Sequence, residues 1–393
     1  MKILMFGWEF PPFNTGGLGT HCYGLTKALH GKDVDVTFVM PRFGKDFKHG
    51  FIKIIHAEEG KFVEIKSSLT PYIPSYDVKF ISRNGDTDEP YGRDFLSDVN
   101  KYTELAARAV AREDCSVIHC HDWMTFPVGI KVKHEKKKPL VVTVHSTEFD
   151  RSPLSPNPWI SHIEWKGMYE ADRIITVSNY MKKRIMDKYN VPGGKITVIY
   201  NSVEADLYGG DRVDFGLDER VVLFLGRLTI QKGADYLLRA AKKVLEVEKD
   251  VRFIFVGTGH MLPELINLSI DLGISEHVIF TGYQESIAEY YRMADVYVMP
   301  SVSEPFGIVA LEAMASGLPV IISKQSGCSE IMRHAMKVDF WDVDSMADKV
   351  LGVLSYGAMR EEMSRNGLKE IKGINWGKTA EQTIGVYSSF GGA

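Results

Sequence analysis

Three short runs hold the residues best suited to chemistry. In Ser303-Glu304-Pro305-Phe306-Gly307-Ile308-Val309-Ala310-Leu311-Glu312, Glu304 stands before a helix that the spacing starts near Gly307. Glu312 then falls about one and a half turns inside that helix. At a helix N-terminus the amides of Phe306 and Gly307 lack intrahelical partners, and carboxylates beside them accept hydrogen bonds from a hydroxyl-rich ligand. The competing reading makes Glu304 a plain cap and Glu312 an ordinary buried or surface acid. It explains poorly why an acid sits in an otherwise apolar helix, where an unpaired carboxylate is costly. In Gly226-Arg227-Leu228-Thr229-Ile230-Gln231-Lys232-Gly233, two cations on one loop can converge on a diphosphate, arginine as a planar fork and lysine as a compact charge. Charge alone would suggest a solvated surface pair, but the position at the carboxyl end of a strand favours a ligand. In Gly16-Gly17-Leu18-Gly19, glycines at a strand-to-helix turn let backbone amides approach an anion, unless the turn is merely structural.

The first half of the chain adds His119-Cys120-His121-Asp122-Trp123 and Val144-His145-Ser146, each closing a strand. Three histidines and Asp122 raise the question of a metal, but the spacing matches no standard ligand set, so no metal is expected and a polar contact to a substrate hydroxyl is preferred. A second glycine turn, Gly257-Thr258-Gly259, has Leu262 where a dinucleotide fingerprint needs its third glycine, which argues against a dehydrogenase; Gly257 can still line a nucleotide pocket. The Asp-x-Asp triplets Asp33-Asp35, Asp86-Asp88 and Asp342-Asp344 sit at no catalytic strand end and read as acidic surface. Asn179 to Tyr189 is basic and amphipathic, more readily a solvated face than a lipid contact. Trp159, Trp165, Tyr72, Tyr76 and Tyr91 could stack on sugar rings, with core or lid packing as the default.

Short β-branched runs alternating with helical patterns position these groups, the signature of parallel strands buried on both faces. Strands are expected at Lys2-Phe6, Asp35-Val39, Val117-Cys120, Leu140-Val144, Arg173-Val177 and Lys195-Ile199. A second set is expected at Val221-Leu225, Arg252-Val256, Val278-Thr281, Val296-Met299 and Val320-Ser323. The helix after the early glycines is expected from about Thr20 to His30. The rhythm breaks over Asn201 to Asp218, which predicts a linker and two α/β domains, residues 1–203 and 204–375, with a helix over 376–393. Phe43 to Val99, with prolines at 71, 74 and 90, reads as an elaboration of the first domain.

At 393 residues the chain suits two cores, and a net charge of -4 gives no reason to expect a nucleic-acid partner. The four cysteines lack CxxC spacing, which fits a reducing, cytoplasmic setting rather than a disulfide framework or thiolate zinc site. The apolar run Ile3 to Phe6 stops too early for a secretory leader. Gly307 to Ile322, interrupted by Glu312 and Pro319, cannot span a bilayer, so any membrane contact would be peripheral.

Taken in order, Gly16-Gly17, His145, Arg227 with Lys232, and Glu304 with Glu312 resemble the retaining glycosyltransferases of the GT-B fold, in particular the glycogen-synthase and sucrose-synthase-like groups. The resemblance runs from Gly7 through Gly317. It implies an α/β fold of two doubly wound Rossmann-like domains facing a central cleft. It implies transfer of a hexosyl unit, glucosyl above all, from a nucleoside-diphosphate sugar to a sugar, an α-glucan or another hydroxyl acceptor. By the same resemblance the amides of Gly17 and Leu18, beside Gly16, approach the donor diphosphate, and Arg227 and Lys232 balance its charge. Glu312 binds the ribose, while Glu304 with Phe306 and Gly307 holds the donor sugar, among Pro305, Ile308, Gly257 and Tyr283. His145 lies beside the reacting sugar and Asp122 in the acceptor site. No cofactor and no required metal are implied, and the helix after Trp376 returns to the first domain. Polyglucan-elongating members carry a lysine two residues before the paired glycines, where this chain has Asn14, so a broader choice of acceptors is expected. A sugar-nucleotide epimerase or a phosphorylase on the same fold is the alternative, as is a sugar-nucleotide sensor without catalysis.

Overall fold

The computed structural model describes residues 1–12, 16–41, 49–57, 93–153 and 155–391. Asn14, Tyr72, Tyr76, Tyr91, Asp86 and Asp88 lie outside them. The chain divides into two compact units. Met1–Asn201 and Trp376–Ala393 make the first, and Ser202–Asn375 makes the second.

In the first unit the strands are β1 (Lys2–Phe6), β2 (Asp35–Pro41), β3 (Lys53–Ala57), β4 (Val117–His121), β5 (Leu140–Val144), β6 (Arg173–Thr176) and β7 (Ile196–Val198). They form one sheet in the order β3-β2-β1-β4-β5-β6-β7, every pair parallel. β4 and β5 are buried along their whole length; the sequence of β5 is accordingly almost wholly apolar, while β4 carries His119 and His121 into the interior. Helix Gly17–His30 buries Leu18, Cys22, Leu25 and Leu29, a helical stripe that packs it on the sheet. Its N-terminus comes three residues before the expected Thr20, because Gly16 in extended backbone serves as the cap. The last helix, Trp376–Ser388, packs on this helix: a Cβ on Gly24 would lie 2.3 Å from the Trp376 ring, so only glycine admits the indole. The Tyr387 hydroxyl from the same helix meets His119 Nδ1 at 2.7 Å.

The second unit repeats the plan. Its strands are β8 (Arg220–Leu225), β9 (Val251–Val256), β10 (Val278–Gly282), β11 (Val296–Met299), β12 (Val320–Ser323) and β13 (Met336–Val338). The order is β10-β9-β8-β11-β12-β13, again wholly parallel. Phe224, Phe253 and Phe255 pack under helix Ala234–Val247 through Leu237, Leu238, Val244 and Leu245. Each such side chain contributes about 1.5–3 kcal/mol by leaving water.

In both sheets the strand order reverses beside the first strand, between β1 and β4 and between β8 and β11. Loops leaving the carboxyl ends on either side of such a point diverge and leave a crevice. The predicted strands are all present. β7 is shorter than Lys195-Ile199 because a 3-10 turn takes up Gly193–Lys195. β3 and β13 were not expected.

Candidate active site

In the second unit the structure joins the two runs that the sequence separates by seventy residues. Lys232 leaves β8 on a 3-10 turn, Glu304 leaves β11, and Lys232 Nζ donates to Glu304 Oε2 at 2.6 Å directly over the reversal point. The same carboxylate oxygen accepts from Ser301 Oγ at 3.3 Å. Gln231 ties the loops together: its Nε2 donates to the Ser303 carbonyl at 2.9 Å, and its own carbonyl accepts from the Val302 amide at 2.9 Å. Gly233 follows at φ +67, where a Cβ would sit 2.2 Å from the Pro300 carbonyl oxygen, so the approach of the loops requires glycine. Arg227 is half-buried on the same loop as Lys232. Neighbouring loops are laced to it, with the Leu228 amide on the Thr258 carbonyl at 2.8 Å and the Gly257 amide on the Gly282 carbonyl at 2.9 Å. A Cβ on Gly257 would lie 2.1 Å from the Gly226 oxygen.

Helix Ile308–Ala315 begins one residue after the expected position, with Gly307 as its cap at φ +99. Pro305, Phe306 and Ile308 are buried around that cap, and the Phe306 carbonyl accepts from the Cys328 amide at 2.7 Å. Glu312 is buried in the helix but not unpaired. Its Oε2 accepts from the Tyr291 hydroxyl at 3.0 Å, and the Tyr208 hydroxyl is a second donor. Burial raises its carboxyl above the usual range, and the two phenols offset part of that. Tyr283, by contrast, stands on the loop after β10 with 68 % of its surface exposed and is not brought to the Lys232–Glu304 pair by any hydrogen bond described.

In the first unit Asp122 and His145 also come together. Asp122 Oδ1 accepts from the His145 amide at 2.7 Å, and the Asp122 amide donates to the Thr143 carbonyl at 3.0 Å. Asp122 holds φ +59 and ψ 166, a conformation that costs a non-glycine residue about 1–3 kcal/mol and concentrates at working sites. Behind His145, Thr147 and Asp150 form a capping box. The buried Arg151 there binds Glu148 at 3.2 Å and Glu164 at 2.6 Å, which fixes the segment after β5. His145 Nε2 meets His121 Nδ1 at 3.1 Å, and the His21 ring lies edge-on to His145 with centroids 4.4 Å apart. Burial holds His121 and His145 well below the ordinary imidazole value, His21 at about 4 and His119 at about 3, so these rings are neutral near pH 7. Gly16 caps helix Gly17–His30 with open space around it. The first turn, which holds the buried Leu18, carries no acidic residue.

Residues 2–197 match the starch synthase catalytic domain and residues 211–370 match the glycosyl transferases group 1. An uncharacterised glycosyltransferase of Methanocaldococcus jannaschii is 35 % identical over 410 residues, covering 98 % of each chain. The chain belongs to the GT-B glycosyltransferases of the glycogen-synthase and sucrose-synthase-like group. Its fold is similar to sucrose-phosphate synthase from Thermosynechococcus elongatus, with a TM-score of 0.79, 20 % identity and coverage of 99 % and 98 % of the two chains. It is similar also to Anabaena HepE in complex with UDP-glucose, with a TM-score of 0.73, 18 % identity and coverage of 99 % and 100 %.

Sequence reasoning missed several residues of this glycosyltransferase. Gln231, Tyr208 and Tyr291 were unmarked, although an acid in an apolar helix announces that some buried donor must exist. His21 and Asn201, joined at 2.8 Å, carried no motif at all. Of the histidines weighed together, His119 is a satisfied core residue, held by Tyr387 and by Thr143 Oγ1 at 2.7 Å each. Among the described residues no helix is long and apolar enough to cross a membrane.

Proposed function

We propose that this glycosyltransferase moves a hexosyl unit, glucosyl in the first instance, from a nucleoside-diphosphate sugar to a hydroxyl acceptor with retention at the anomeric carbon. The reading rests on one observation, the Lys232–Glu304 contact of 2.6 Å over the strand-order reversal of the second unit, with Arg227 on the same loop. As the anomeric bond stretches, negative charge gathers on the departing diphosphate. Arg227 and Lys232, aided by the Gly16, Gly17 and Leu18 amides, stabilise that charge more in the transition state than before it. Glu304 orients the lysine in advance, so little reorganisation is needed at the moment of reaction. With the Phe306 and Gly307 amides it also receives the donor sugar hydroxyls. Glu312 takes the ribose, and Pro305, Ile308, Gly257 and Tyr283 line the donor. His145 and Asp122 serve the sugar and acceptor.

Two side-chain cations do the work a divalent ion would otherwise do, so transfer is proposed to need none and no cofactor beyond the donor. A UDP sugar is the first donor to try, since HepE was solved with UDP-glucose. The acceptors are sugars, an α-glucan among them, or other hydroxyl compounds. A cytoplasmic setting belongs to the same reading, supported by four free, buried cysteines.

The test is a thermal-shift screen of UDP, ADP and GDP sugars, because a ligand of the native state alone raises apparent stability. One class of donor should raise the transition. Incubation of that donor with α-glucan and simple sugars, read by NMR at the new anomeric centre, should then show a retained configuration. Binding without nucleoside diphosphate release would mark a sensor, and an altered sugar still attached to its nucleotide would mark an epimerase; either outcome refutes the proposal.

A further inference from the structure

Three histidines of the first unit form a cluster of which the proposed transfer uses His145 alone. His21 comes from helix Gly17–His30, His121 from the end of β4 and His145 from the residue after β5, and one ring nitrogen from each lies within 4.8 Å of the other two. His21 Nδ1 meets Asn201 Oδ1, an oxygen that can only accept, so His21 carries its proton on Nδ1 and its lone pair on Nε2. Among the described residues, that Nε2 and the Nε2 of His121 are buried with no hydrogen-bond partner. Buried polar atoms are nearly always satisfied, so two orphaned nitrogens in one cluster need an explanation. Burial keeps both rings neutral, as a ligand must be, and His21 also has a side-chain carbonyl on its far nitrogen, a contact of the kind that orients a metal-bound imidazole.

We infer that His21, His121 and His145 bind one divalent transition cation of the zinc class. Tetrahedral zinc with nitrogens at about 2.0–2.1 Å holds its ligands roughly 3.4 Å apart, so small ring rotations close the cluster around the ion. His145 exchanges its 3.1 Å contact with His121 for the cation, and the fourth position is left to water. Three imidazoles without a carboxylate suit zinc, copper or nickel and not magnesium or calcium. His119, whose ring lies 4.3 Å from His121, stays outside because both its nitrogens are engaged. The functional consequence rests on the proposed role of His145. A cation that captures this ring withdraws it from the sugar, so zinc inhibits transfer.

Equilibrium dialysis of the chelator-washed full chain against micromolar Zn²⁺, with the metal counted per chain, should give close to one ion, undisturbed by excess Mg²⁺. His21→Gln and His121→Gln should each weaken binding tenfold or more. Should either variant misfold, Co²⁺ on the unaltered chain reads the site directly through the intense visible bands of four-coordinate cobalt, bleached by Zn²⁺. Less than a tenth of a zinc per chain, or binding unchanged in both folded variants, overturns the site. In the activity arm, zinc should suppress transfer tenfold or more and His21→Gln should relieve the suppression. Zinc bound with undiminished transfer overturns the inhibitory role. Zinc bound by a chain that transfers nothing, even free of metal, supports the site and overturns only the activity on which inhibition rests.

Discussion

The strand-end sites of the two units share a topology and differ in electrostatics. Over the reversal in the second unit, a lysine and a glutamate meet at 2.6 Å with an arginine on the same loop. Over the reversal in the first, the side chains are imidazoles that burial keeps neutral, beside one carboxylate whose Oδ1 binds a backbone amide. The charged site suits a ligand that gains charge during reaction, whereas the neutral one suits hydroxyl groups that must be placed accurately without being ionised. The same doubly wound plan therefore supports two binding chemistries, and the difference lies in a few loop residues rather than in the sheets.

Removing the charged pair should have the largest effect. Lys232→Ala is expected to lower kcat by about 10²–10³, the scale on which single stabilising donors are lost from transition states. Glu304→Ala should act comparably, and the double variant should cost little more than either single one, because the carboxylate orients the ammonium and the two act as a unit. Steady-state kinetics on variants whose circular dichroism matches the wild type would check this. Fully additive losses would break the comparison, since the second unit would then hold two independent groups and no prepared pair.

The anchor of the neutral site should come next. Asp122→Ala removes the acceptor of the His145 amide and should lower kcat about 10²-fold through misplacement of that ring. Asp122→Asn keeps an oxygen at the same place and should stay within several-fold of wild type. Asp122→Gly should lose activity like alanine yet relieve the φ +59 backbone, which separates anchoring from folding when turnover and thermal unfolding are measured together. Equal losses for alanine and asparagine would show that the negative charge, and not the hydrogen bond, is what the first unit supplies.

The two units were not equally legible. β1, β5, β8, β11 and β12 declare themselves because burial on both faces leaves nearly continuous apolar runs. β3 and β13, both sheet edges, do not: Lys53 and His56 or Lys337 interrupt strands that need only one neighbour. The charged site could be read from Arg227, Lys232, Glu304 and Glu312 because each stands in a glycine-marked loop or a conspicuous helix. The neutral cluster could not, since His21 sits within a helix as one polar residue among apolar ones, and only the parallel pairing of β1, β4 and β5 brings it to His121 and His145. Spacing along the chain says nothing about such a set, which joins His21 to His121 and His145 while His119 is satisfied in the core.

The smallest expected effect concerns Glu312, the place where the charged unit adopts the tactics of the neutral one. Its carboxyl is raised by burial despite the Tyr208 and Tyr291 hydroxyls, so the folded state holds the proton to higher pH than the unfolded chain, whose carboxyl titrates near 4.5. Between those two values the native state binds more protons, and stability therefore falls as pH rises through that window. Glu312→Gln removes the titration and leaves an amide oxygen for one tyrosine. Its unfolding free energy should lie within about 1 kcal/mol of wild type at pH 5, and its transition temperature should gain on wild type as the pH is raised to 8. If Glu312 receives the ribose, the same variant should weaken nucleotide binding about tenfold, roughly 1.4 kcal/mol. Parallel pH slopes for the two proteins would show that the tyrosine hydroxyls offset the effect of burial on Glu312 completely.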